Sequence, residues 1–142
     1  MKKLNKILLI DDSESDNFIH SRIIRKCDVT REIKVCYSAE DGLAYLQNTV
    51  EKDGDLPPEL IFLDINMPGM NGWEFLEEYD RLDIKYKARI IITMLTTSLN
   101  PDDNDRALKN AKIQKFMTKP LTREMLMTTL REHFPDHFPE SI

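Results

Sequence analysis

Four short polar clusters carry the chemistry open to this sequence. Asp11-Asp12, Asp64, Thr96-Thr97-Ser98 and Thr118-Lys119-Pro120 each follow an apolar run, at 7–10, 60–63, 89–95 and 115–117. Three carboxylates brought together repel one another unless a cation or a proton relieves them. A hard divalent ion with oxygen ligands gives that relief, and Mg²⁺ favours one or two carboxylates with water and a phosphate over a closed protein cage. Lys119 adds a cation suited to an anionic group such as a phosphoryl. A carboxylate can also act as nucleophile and form an aspartyl phosphate, while a metal and a lysine neutralise the transferring oxygens. Each cluster has an ordinary reading by itself: Asp11-Asp12 as a turn and cap, Asp64 as a turn acid, Thr96 as a loop hydroxyl, Lys119 as a surface lysine. Their joint position, each at the end of an apolar run, argues against chance.

These clusters meet only if the runs before them lie side by side. A continuous apolar run such as 7–10 is the pattern of a strand covered on both faces, and 33–37 adds a further strand. Helix signals alternate with the runs. Ser13 caps the first helix, with Asp16 reaching back as in a capping box, and Phe18, Ile19, Arg22, Ile23 and Lys26 give it one apolar face ending near Cys27. Ser38 with Asp41 caps the second, whose apolar residues are Leu43, Leu46 and Val50. Asn71 and Glu74 open the third, with Phe75, Leu76, Tyr79 and Leu82 inward. Asn100-Pro101-Asp102-Asp103 starts the fourth. Thr122 opens the fifth, with Met125, Leu126, Thr129, Leu130 and Phe134 at helical spacing, and Pro135 and Pro139 end it. Five strand–helix units with short links imply an α/β domain: a parallel sheet, helices on both faces and right-handed crossovers. In such a sheet ligands bind beyond the carboxyl ends of the strands, where strand order reverses.

A chain of 142 residues is expected to form a single domain over 1–142, its core at about 6–134. Too little follows Phe134 for an appended output domain. The 41% hydrophobic content supports a real core and excludes disorder. Twenty basic against 25 acidic residues give −5, so the basic footprint of direct nucleic-acid binding is missing. The N-terminus has neither the apolar stretch of a signal peptide nor the about 20 residues of a membrane span, which reads as cytoplasmic. Cys27 and Cys36 read as reduced thiols. His20, His133 and His137 lack metal-ligand spacing and are expected on the surface or at helix ends. Met117, Met125 and Met127 read as packing. The long charged loop 47–59 reads as a tolerated insertion in preference to the alternative, an added contact surface.

The segments Ile-Leu-Leu-Ile-Asp-Asp-Ser, Leu-Asp-Ile-Asn-Met-Pro-Gly-Met-Asn-Gly, Leu95 to Ser98 and Thr-Lys-Pro-Leu resemble the receiver domain of two-component response regulators, from about Lys6 to Phe134. The resemblance implies a flavodoxin-like doubly wound sheet of order 2-1-3-4-5 with five helices. It implies that Asp64 is the phosphoacceptor, loaded by a sensor histidine kinase or a histidine phosphotransfer protein. Asp11 and Asp12 resemble the acidic pair that holds Mg²⁺, with Asp64 and the Asn66 backbone carbonyl as further ligands and Asp11 acting through water. Lys119 and the Thr96 hydroxyl would pair with phosphoryl oxygens, Thr97 staying open as the alternative hydroxyl. Pro120 matches a cis-proline position and Phe116 an aromatic switch position, here without a tyrosine hydroxyl. Thr96 and Phe116 would rearrange on phosphorylation, changing the face of the fourth helix, fifth strand and fifth helix toward an unidentified protein target or a second copy. Asn66 and Ser98 flank the site and would tune phosphoryl lifetime.

The implied function is a stand-alone signalling switch that catalyses its own phosphorylation and slow dephosphorylation, not an enzyme with a released product. A Mg²⁺-dependent phosphatase would carry its second aspartate two residues after the first, whereas here the pair is adjacent and residue 13 is serine. A constitutive adaptor would have lost an acid or the lysine. A flavin-type phosphate loop is contradicted by Asp11-Asp12, which repel a phosphate, and by four glycines in the whole chain.

Overall fold

The computed structural model describes residues 2–49, 56–97 and 113–139, with Asp102, Asp105 and Lys109 between the last two stretches. Its strands are β1 (Leu4–Ile10), β2 (Thr30–Cys36), β3 (Leu60–Leu63), β4 (Ile91–Thr96) and β5 (Ile113–Thr118). All pair in parallel, in the order β2-β1-β3-β4-β5. This is the parallel α/β sheet that the alternating pattern predicts, in the doubly wound, flavodoxin-like order that the resemblance implies. Strand order reverses between β1 and β3, so the crevice for a ligand opens where those two strands end.

Four described helices flank the sheet: α1 (Glu14–Cys27), α2 (Ala39–Asn48), α3 (Gly72–Arg81) and α4 (Arg123–His133). The helix predicted from Asn100 lies outside the described residues except for Asp102, Asp105 and Lys109, which are helical, so α4 is the fifth helix of the sequence reading. Val50, the middle of the loop 47–59 and Ser98 also lie outside them. None of the described helices is long and apolar enough to cross a membrane.

The two-residue period of the strands divides the core. Leu8, Ile10, Ile61 and Leu63 pack with Leu46 of α2 and Phe75, Leu76 and Tyr79 of α3. Leu4, Ile7, Leu9, Leu60 and Phe62 pack on the other face with Ile24 of α1 and Leu126 and Leu130 of α4. The caps at Ser13, Ser38, Asn71 and Thr122 form as expected, and Asn71 with Glu74 makes a complete capping box.

The phase of α1 departs from the sequence reading. Its buried residues are Asn17, His20, Ser21 and Ile24, a stripe at i, i+3, i+4 and i+7. Phe18 and Ile19 are 65% and 45% exposed. The rotation is fixed at the start of the helix, where Ser13 Oγ accepts from the Asp16 N–H and Asn17 Nδ2 donates to the Asp11 carbonyl at 2.8 Å. His20 is therefore buried, not a surface residue. His133 ends α4, and His137 is half-buried. Cys27 and Cys36 are free thiols, and Met117 packs in the second core cluster.

The segment after α4 also contributes more than its prolines suggest. Phe138 is 2% exposed within the second core cluster, and the His137 carbonyl accepts from the Lys2 N–H at 3.0 Å. This contact ties the two ends of the fold together. Phe138→Ala is expected to lower stability by about 3 kcal/mol in urea denaturation, because a large ring leaves a well-packed site. A loss below about 1 kcal/mol would show that the segment is peripheral.

Candidate functional site

The site is built from strand ends. Ile10 and Leu63 are register partners, so the residues that follow them, Asp11 and Asp64, emerge side by side. The Asp64 N–H donates to the Ile10 carbonyl at 3.0 Å and the Asp11 N–H to that of Cys36 at 3.1 Å, extending the ladder by one residue. Thr96 and Thr118 are partners at the ends of β4 and β5, and the Lys119 N–H donates to the Thr96 carbonyl at 2.6 Å. The Lys119–Pro120 peptide is cis. Gly72 lets α3 close against this edge: a Cβ there would stand 2.7 Å from the Asp64 carbonyl oxygen and 2.9 Å from Ile65 Cα.

Asp11, Asp12 and Asp64 each offer a carboxylate oxygen, and these oxygens lie within 4.8 Å of one another. Asp11 and Asp64 are buried while Asp12 faces solvent. Lys119 Nζ lies 2.7 Å from Asp11 Oδ2, 2.8 Å from Asp16 Oδ2 and 3.7 Å from Asp64 Oδ1. Burial, reinforced by the Asp11 charge, pushes the Asp64 carboxyl up to about 6. The hydrogen bond from Lys119 holds Asp16 below the usual carboxylate range. Burial pulls the Lys119 ammonium down, but its bonds to Asp11 and Asp16 outweigh that and raise it. Burial lowers His20, and the Lys119 charge adds to the effect.

This donor set fits Mg²⁺. It consists of hard carboxylate oxygens, one of them open to solvent, and leaves room for water and an anionic oxygen as that ion prefers. Among the other residues predicted from sequence, Asn66 is exposed, its backbone N–H donates to the Asp64 carboxylate, and its Nδ2 donates to Thr96 Oγ1 at 3.3 Å. Thr96 is buried and Thr97 exposed. Phe116 is half-buried against the first core cluster.

Sequence reasoning missed four contributors. Asp16 appears there only as a capping acid, yet its carboxylate is bound to Lys119, and Asp11 Oδ1 takes the Ser13 N–H instead at 3.0 Å. Asn17 and His20 line a cavity of about 10 Å³ beneath Asp11 and Asp64, large enough for at most about one water. Glu40 of α2 reaches the loop after Asp64, its Oε1 accepting from the Met70 N–H at 3.1 Å. For Asn17 and His20 the available signal was the run of polar residues 17, 20 and 21, which helical spacing places on one face.

A parallel sheet with an acidic crevice at its switch point and a lysine opposite defines a class of signalling domain, and comparison with known proteins agrees. The family described as "Response regulator receiver domain" matches residues 7–131, and the chain belongs to this family, whose members act in two-component signalling. The response regulator Rcp1 of Synechocystis sp. is 34% identical over 98 residues, covering 68% of this chain and 65% of Rcp1. The probable methanogenesis regulatory protein FilR2 of Methanothrix harundinacea is 30% identical, covering 89% of this chain and 79% of FilR2. A solved two-component response regulator from Cytophaga hutchinsonii superposes with a TM-score of 0.84 at 30% identity, covering 93% of this chain and 98% of that one.

The raised Asp64 pKa has a consequence for stability. A carboxyl that ionises less readily in the folded state than in the unfolded state weakens folding as pH rises from about 4 through about 6. In metal-free buffer near pH 7.5, Asp64→Asn is expected to be more stable than the wild type by about 2–3 kcal/mol. The gap closes as pH falls toward about 4. Chemical denaturation at the two pH values checks this, and equal stabilities near pH 7.5 would contradict it.

Proposed function

We propose that Asp64 accepts a phosphoryl group from the phosphohistidine of a sensor histidine kinase or histidine phosphotransfer protein, with Mg²⁺, and that this modification switches protein contacts. The observation that carries the reading is the meeting of Asp64 with Asp11, Asp12 and Lys119 at one sheet edge. An Asp64 carboxylate oxygen attacks the donor phosphorus. The P–O bond forms as the P–N bond breaks, and the bonding pair stays on the imidazole nitrogen. With a proton on its other nitrogen, the ring departs as neutral imidazole. At neutral pH a carboxyl titrating at about 6 is mostly ionised and able to attack. Asp12, Asp64 and the Asn66 carbonyl would hold Mg²⁺, with Asp11 acting through water, and the ion supplies positive charge to the transferring oxygens. Lys119 pairs with a phosphoryl oxygen and keeps its charge throughout.

Phe18 and Ile19 support docking of the donor, since they expose apolar surface on the helix that starts beside Asp11-Asp12. The burial of Thr96 and its bond from Asn66 support it over Thr97 as the hydroxyl that turns toward the phosphoryl. Phe116 then turns inward, and the face of the predicted fourth helix, β5 and α4 changes its affinity for a target protein or a second copy. The product is a protein state, so on this reading the chain acts as a signalling phosphoacceptor and not as a metabolic enzyme. Pro120 positions the lysine.

Incubation with acetyl phosphate is expected to load one phosphoryl group in a Mg²⁺-dependent manner, visible as a shifted band on a phosphate-affinity gel and absent in Asp64→Asn. Loading of Asp64→Asn, or none of the folded wild type with several donors, would overturn the assignment. Asn66→Ala is expected to change the decay of the loaded form more than its formation. The Asn66 backbone N–H donates to the Asp64 carboxylate while its exposed side chain reaches Thr96 Oγ1, so the variant removes the side chain beside the acid and leaves the backbone bond. Altered loading with unchanged decay would speak against that role.

A further inference from the structure

Lys119 is shared unequally. Its ammonium makes direct ion pairs with Asp11 at 2.7 Å and Asp16 at 2.8 Å, but stands 3.7 Å from Asp64, beyond hydrogen-bond distance. We propose that Asp16 is a positioning residue that holds Lys119 in the resting receiver, and that capture of a phosphoryl group on Asp64 requires Lys119 to exchange Asp16 for a phosphoryl oxygen. This rests on the reading of Asp64 as phosphoacceptor and names a control on that same site.

Three features make Asp16 a dedicated partner. It stands at the third position of α1, where a capping box would bend its carboxylate back to the Ser13 N–H. That N–H is already taken by Asp11 Oδ1, so the Asp16 carboxylate is available to reach across to β5. The inverted phase of α1, pinned by the Asn17 bond to the Asp11 carbonyl, sets Asp16 at the rim of the site. The Lys119 side chain is 8% exposed and that of Asp16 31%, so the acid covers the ammonium from the solvent side.

The lysine backbone is fixed by its bond to the Thr96 carbonyl, so only the flexible stem need swing to bring Nζ to Asp64. A phosphoryl group offers more negative charge than the Asp16 carboxylate and draws the ammonium inward. Asp16 then stays ionised in the first turn of α1, where the helix dipole favours a negative charge. Asp16 thus competes for the cation that loading needs.

The test is the initial rate of Asp64 loading by acetyl phosphate at fixed Mg²⁺ in wild type, Asp16→Asn, Asp16→Glu and Lys119→Gln, with Asp16→Asn also in the Lys119→Gln background. Asp16→Asn is expected to load about two- to fivefold faster, the scale of one ion pair whose acid remains partly open to solvent. Asp16→Glu, which restores the carboxylate, is expected to stay close to wild type. In the Lys119→Gln background the Asp16→Asn change is expected to have no effect. Mg²⁺-dependent affinity for beryllofluoride, compared across the same five proteins, gives the coupling without a timed chemical step. A rate or affinity for Asp16→Asn no higher than wild type overturns the proposal. An equal gain with and without Lys119 also overturns it, since Asp16 would then act only by repelling the anionic donor. A wild type that does not load at all overturns the phosphoacceptor reading instead.

Discussion

Burying Asp64 beside Asp11 costs the folded chain free energy that a proton, a hydrogen bond or a nearby positive charge must offset, and the Lys119 ammonium supplies that charge. Much of the architecture can be traced to that need. β1 and β3 must end in register for the carboxylates to meet, and β5 must end beside β4 for the lysine to reach them. Gly72 must lack a side chain for α3 to begin against the Asp64 carbonyl. One residue of slip in any of these strands would send its terminal polar group to the wrong face.

The balance is incomplete by design of the residues themselves. One ammonium serves Asp11 and Asp16 directly and Asp64 only at a distance, and Asp12 adds a further negative charge at the rim. Such a site is strained electrostatically until a positive charge or a proton relieves it, and under the proposed function a divalent cation gives that relief while a phosphoryl group on Asp64 redraws the pairing. That sensitivity is what a signalling domain requires: a modest chemical change at one atom must alter which groups pair.

The same priority explains α1. A helix selected for stability alone would bury Phe18 and Ile19 and expose Asn17 and His20. The observed helix does the reverse. Its polar inner face supports Asp11 and lines the space beneath the acids, while its apolar residues are left to solvent beside the site. Local departures from the hydrophobic pattern of this kind concentrate where function outweighs packing.

The sheet and the acids at its edge were legible in sequence because both depend on local composition. Continuous apolar runs at 7–10 and 60–63 are the pattern of strands covered on both faces, and a polar residue that ends such a strand lies at the sheet edge. Helix starts at Ser13, Ser38, Asn71 and Thr122 were equally plain, since a cap needs only its own short segment. What could not be read were contacts that cross the chain. Asp16 looks like a capping acid until Lys119, distant in sequence, is brought to 2.8 Å from it, and Phe138 looks like part of a tail until it enters the second core cluster. The rotation of α1 was misread because periodicity reports which residues share a face, not which face meets the sheet. Composition and local spacing thus determined the elements and the class of chemistry. The partners of Lys119, the burial of His20 and the exposure of Phe18 were decided only by tertiary packing, because each depends on distances between segments that local sequence does not encode.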